Sequence, residues 1–217
     1  EVPIVSEPGQ FNIQPTMNID PYLIGCYFIE RVNFFEYNNS TLPDYEKLRL
    51  ISKKYNVPVD ITEAEFNSLN IGDTIPDCYL YNDFNTRLEL LSGLMDNACS
   101  IYPHEFGGNS ILFHSIDKKL PEYVKWLVES VGGVASEIKQ YIPVTVNGVE
   151  SFYNTIDIIL PGSINPFKNS RLKYMFNPIE LSRFITDIVD VEEKEECQCI
   201  SVSAKDQLYL TNNFIVT

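Results

Sequence analysis

Two apolar helical segments, each with a glycine near its middle, constrain this chain more than any other feature. The first is Tyr22-Leu23-Ile24-Gly25-Cys26-Tyr27-Phe28-Ile29-Glu30, and the second is Arg87-Leu88-Glu89-Leu90-Leu91-Ser92-Gly93-Leu94-Met95-Asp96. Asp20-Pro21 supplies an N-cap and a first-turn proline for the first segment. A helix that is apolar on nearly every side must be buried on every side. Glycine at its centre lets a second backbone come close. The expectation is a fold built around two helices that pack on each other at Gly25 and Gly93. Carboxylates brought together at one edge of such a pair would have the chemistry to bind a divalent cation and activate water for phosphodiester hydrolysis. Two ordinary core helices would leave the same pattern.

The rest of the chain reads as α+β. Residues 1–19, with Pro3, Pro8 and Pro15, read as an extended linker. Residues 43–55 form an amphipathic helix with Leu48, Leu50 and Ile51 inward, and residues 62–69 form a short helix opened by a Thr62/Glu65 capping box. Strands are expected at 32–37, 99–102, 110–116, 134–142 and 152–160, with Asn147-Gly148 as a hairpin turn. Leu120, Tyr123, Val124, Leu127, Val128 and Val131 mark a helix over 118–131 that Gly132-Gly133 ends. Residues 161–178 read as irregular and hold Lys168, Arg171 and Lys173. The remainder is strand-like at 183–191, 197–202 and 207–216, around an acidic run at 192–196 that reads as a solvated turn.

The segment Pro21–Glu30 resembles the first LAGLIDADG motif of intein-borne homing endonucleases, and 87–99 resembles the second. Ile75-Pro76-Asp77-Cys78-Tyr79-Leu80 is similar to the lead-in to that second motif, and 118–135 resembles the late helix of the same family. Glu195-Glu196-Cys197-Gln198-Cys199-Ile200-Ser201-Val202 and the stretch from Leu208 to Thr217 resemble the C-terminal splicing block of an intein. The resemblance implies a linker at 1–19 leading out of an N-terminal splicing segment. It implies an endonuclease-like domain at 20–178, made of two pseudo-symmetric halves with helices packed on β-saddles. Strands of a Hint-type splicing domain would follow at 179–217.

In that family the acidic residue at the eighth motif position binds metal, Mg²⁺ in an active enzyme. Here the first such position is Glu30 and the second is Ala98, which has no ligand atom. Asp96, two residues earlier, projects roughly 200° away on an ideal helix and is not expected to replace it. Ile29 adds bulk at the close approach, and Arg31 and Cys99 stand at the terminal glycine positions. The span from Glu30 to the helix at Pro43 has room for one meagre hairpin at most. Lys168, Arg171 and Lys173 are the candidate DNA contacts. A net charge of −14 opposes DNA as a partner, because phosphate binding needs a basic surface.

The expectation is therefore an intein segment whose endonuclease domain folds without cutting DNA. An active metal-dependent endonuclease and a non-catalytic scaffold for split splicing halves are the alternatives. The chain stops at Thr217, before the His-Asn that ends family members, and lacks their N-terminal nucleophile block. No splicing residue is expected within it, and its partners would be the N-terminal splicing segment and the host extein. Five cysteines, an odd number, and no secretory leader point to free thiols in an intracellular, reducing compartment. Cys197 and Cys199 read as neighbours on a buried strand, and His104 and His114 as structural. No apolar run reaches membrane-spanning length.

Overall fold

The computed structural model describes residues 11, 18–32, 42–69, 71–72, 74–105, 107–146, 149–179 and 201. The strands expected at 183–191 and 207–216, the Cys197/Cys199 pair and most of the strand expected at 32–37 lie outside these residues. Val32, the one described residue of that last stretch, continues the helical path of the first motif.

Seven helices and five strands are described: α1 Pro21–Glu30, α2 Asp44–Tyr55, α3 Glu63–Ser68, α4 Asp77–Leu80, α5 Phe84–Met95, β1 Cys99–Pro103, β2 Asn109–Ser115, α6 Leu120–Ser130, β3 Val134–Ala135, β4 Lys139–Val146, β5 Val149–Ile159 and α7 Ser170–Met175. The α+β character is as expected. The described strands all follow α5 and form one antiparallel sheet ordered β1-β2-β5-β3, with β4 also paired to β5.

The helices begin where their caps dictate. The Asp20 carboxylate accepts the Tyr22 amide at 2.8 Å, and the Asp83 carboxylate accepts that of Thr86 at 2.8 Å. Asp83 starts α5 a turn ahead of the expected Arg87. Thr62 and Glu65 form the full capping box of α3. In α2, Leu48 and Ile51 are buried as a pair spaced i, i+3, whereas Leu50 is 46% exposed. Leu50 was expected inward, but it turns away because an apolar stripe on one helix face admits the other two and not it.

The sheet buries Ile111, Phe113, Ile156 and Ile158 on one face. Helix α6 packs there against β2, β3 and β5, and α5 joins it to α1, which packs in turn against α2. The strand expected over 134–142 is two strands. Its path leaves the ladder at 136–138: the Ser136 amide still donates to the Asp157 carbonyl at 2.9 Å, but the Asp157 amide donates to the Ser136 hydroxyl at 3.0 Å. β4 and β5 pair as a hairpin from Val146 and Val149 outward. The turn at 147–148 lies outside the described residues. Between Tyr141 and Pro143 the register slips by one residue, a bulge at Ile142. The region 161–178, expected to be irregular, contains the short helix α7.

Candidate functional site at the helix crossing

Gly25 and Gly93 bring α1 and α5 into backbone contact. A β-carbon at Gly25 would meet the Leu90 carbonyl oxygen, the Leu94 amide nitrogen at 2.7 Å and the Gly93 carbonyl carbon at 2.9 Å. One at Gly93 would meet the Tyr22 carbonyl oxygen and the Cys26 amide nitrogen, the latter at 2.9 Å. Each glycine thus faces the residues three before and one after the other. The contacts exchange when the two helices are swapped, which is a local two-fold relation between α1 and α5.

Tyr22, Cys26 and Glu30 follow at i, i+4 and i+8 along one face of α1. The Cys26 thiol is fully buried, and burial above all pushes its pKa up to about 12, so it is not a poised nucleophile. Glu30 is nearly buried. Its Oε1 accepts the Lys54 ammonium at 2.6 Å and the Tyr55 hydroxyl at 2.6 Å, both from the end of α2. Burial, with this contact to Glu30, drives the Tyr55 hydroxyl pKa upward and keeps it a donor.

Asp96 forms the C-cap of α5 and is buried. Its Oδ2 accepts the Tyr22 hydroxyl at 2.8 Å and the Asn169 amide at 3.1 Å. Its Oδ1 has no hydrogen-bond partner among the described residues. Burial raises the Asp96 pKa, while Tyr22, Asn169 and Lys168 pull against that rise. Asp96 keeps the helical path, its amide donating to the Ser92 carbonyl at 3.0 Å, while the turn over residues 96–98 takes Ala98 off the ideal projection. Asp96 faces α1. Ala98 is fully buried, its amide bonded back to Met95 at 3.3 Å and its carbonyl accepting His114 N–H at 2.9 Å.

These residues do not fit the Mg²⁺ that the family resemblance implies. A hard cation needs several oxygen ligands converging on it. Glu30 is held by Lys54 and Tyr55, Asp96 has one oxygen taken by Tyr22 and Asn169, position 98 offers only a methyl group, and no group of three or more His, Cys, Asp or Glu side chains suited to a metal occurs among the described residues.

The three candidate DNA contacts differ in their surroundings. Lys168 pairs with Glu89, and its ammonium lies 4.3 Å from the Tyr22 ring centroid, so it belongs to the crossing. Arg171 and Lys173 are exposed on α7. The sheet face opposite the core carries a groove of about 470 Å³ lined by Tyr102, His104, Glu105, Ser110, Ser136 and Asp157, among others. Tyr102 donates to Asp157, and Lys139 stands 3.7 Å from the same carboxylate. This lining is not the basic saddle that phosphates require. His114 stacks edge-on against Tyr153 at 5.3 Å, and burial lowers its pKa, as a structural imidazole would show. Cys26, Cys78 and Cys99 are free thiols.

Tyr22, Tyr55, Lys54, Asp96 and Asn169 were not picked out as members of this cluster by the sequence. The i, i+4, i+8 line of Tyr22, Cys26 and Glu30 was the available signal. No family model and no curated protein matches the chain.

Proposed function

We propose that this chain is an intein segment: a LAGLIDADG-like domain that has lost DNA cleavage, followed by the C-terminal strands of a Hint-type splicing domain, working in an intracellular, reducing compartment. The observation that carries this reading is the exchange-symmetric contact of Gly25 and Gly93, beside which one acidic motif position is Ala98 and the other, Glu30, is held by Lys54 and Tyr55. A helix pair has kept the close approach while its carboxylates serve packing. Its partners would be the N-terminal splicing segment and the host extein. Incubating the purified chain with an intein-free target gene and Mg²⁺ or Mn²⁺ is expected to give no specific cut; specific double-strand cleavage overturns the loss of activity. Supplying the N-terminal segment and a terminal His-Asn is expected to yield ligated exteins, and a folded product without ligation overturns the splicing role.

A second reading, an active endonuclease, draws on Asp96. Asp96 accepts from Tyr22 and Glu30 from Tyr55, and the two tyrosine rings meet edge to face with centroids 6.1 Å apart. A Mg²⁺ titration that perturbs the Tyr22 or Tyr55 signals would favour it.

A further inference from the structure

Two residues of the linker ahead of α1 meet tyrosines from one short stretch. Ile19 is buried, and its carbonyl accepts the Tyr79 hydroxyl at 3.0 Å. Phe11, eight positions earlier, lies with its ring centroid 6.0 Å from that of Tyr81 and 5.7 Å from that of Trp126. Tyr81 and Trp126 themselves meet edge to face at 5.1 Å. Beneath them the Arg87 guanidinium lies 4.8 Å from the Phe11 ring centroid. Arg87 is wholly buried, and backbone carbonyls hold it: Nε donates to Asn82 at 3.1 Å and Nη1 to Ser130 at 2.7 Å. Bonds to backbone carbonyls orient the cation without help from Phe11, and an aromatic face is a partner that a buried guanidinium favours. Tyr81 remains 42% exposed with Phe11 in place, so the notch opens to solvent, and Phe11 stands outside the main core cluster.

We infer that Tyr81, Trp126 and Arg87 form a docking notch for an aromatic side chain of the linker, and that this notch binds the linker through Phe11 independently of chain connectivity. The ligand class is an extended peptide carrying one phenylalanine. The notch would hold the polypeptide ahead of α1 against the α5–α6 side of the domain, and it would take the same segment from a separate chain. It does so whether or not the protein splices.

Trp126 is the single tryptophan of the chain, so its emission reports the notch directly. In the full chain, Phe11→Ala is expected to red-shift that emission and raise its quenching by acrylamide while far-UV circular dichroism stays unchanged. A synthetic peptide of residues 1–19 added to the Phe11→Ala chain is expected to restore protection, and the same peptide with Ala at position 11 is expected to bind about tenfold more weakly. Tyr81→Ala, on the receiving side and partly exposed, is expected to abolish the rescue. Unchanged Trp126 accessibility in Phe11→Ala, or equal rescue by both peptides, overturns the inference.

Discussion

The Tyr22 hydroxyl and the Asp96 carboxylate meet at 2.8 Å inside the protein, tying the first turn of α1 to the last of α5. Burial pushes the Tyr22 pKa upward, so this hydroxyl stays protonated and can only donate to Asp96 or share a proton with it.

Asp96 therefore sets a pH dependence opposite to that of a salt-bridged carboxylate. Its folded pKa is raised, so folding favours the neutral acid. The stability it contributes is complete below the unfolded carboxylate value, about pH 4, and is lost as pH rises through the folded value. Asp96→Asn, which stays neutral, is expected to flatten this part of the profile. Urea midpoints measured across the acid range for both chains check it; parallel profiles would contradict the assignment.

Gly25→Ala and Gly93→Ala each place a methyl group against backbone atoms of the opposite helix, at 2.9 Å or closer. Backbone cannot swing aside as a side chain can, so each substitution is expected to cost about 2–3 kcal/mol, with a double mutant that is not additive. Gly107 has positive φ and open space around it. Gly107→Ala carries conformational strain alone, about 1 kcal/mol, and serves as the control in chemical denaturation.

Glu30 is expected to behave as a structural acceptor. Glu30→Gln loses charge-assisted bonds from Lys54 and Tyr55, with a cost of about 1–2 kcal/mol, discounted for the half-exposed Lys54. Thermal scans are expected to give the same loss with and without Mg²⁺. A Mg²⁺-dependent rise in Tm that disappears in Glu30→Gln would restore a metal role.

Lys168→Ala removes the pair with Glu89 and the cation over Tyr22, and it is expected to lower stability by about 1 kcal/mol. Arg171→Ala and Lys173→Ala, on the exposed face of α7, are expected to stay within about 0.5 kcal/mol. Fluorescence anisotropy with duplex DNA at physiological salt is expected to be unchanged by all three. A loss of DNA affinity specific to Arg171 and Lys173 would revive them as contacts.

The parts of this structure legible in the sequence are those that local chemistry decides. Gly25 and Gly93 pointed to the crossing, because glycine inside a buried helix lets a second backbone come close, although ordinary core helices carry the same pattern. Leu120, Val124, Leu127 and Val128 announced α6 by period, and the 147–148 pair announced the β4–β5 hairpin. The site was less legible because its contacts join distant residues. Glu30 finds Lys54 and Tyr55 across an intervening segment, and Lys168 finds Glu89 from the far side of the sheet's sequence. Asp96 finds Tyr22 and Asn169, each more than 70 positions away, and the direction of Ala98 depended on where α5 stops, which shifts by a residue or two without any change in pattern. Leu50 and the break at 136–138 failed for a related reason: hydrophobicity alone does not say which apolar residue meets a neighbour, or where a strand will release its ladder.

The bulge at Ile142 bears on how copies of this molecule behave in a crowded solution. Among the described residues β4 pairs only with β5, and an unpaired strand side is the kind of surface on which chains stack into aggregates. Pro143 has no N–H to offer an incoming strand, and the bulge beside it twists the edge out of line. Any strand aligning on that side of β4 would meet an interrupted row of donors, which opposes extension of the sheet there.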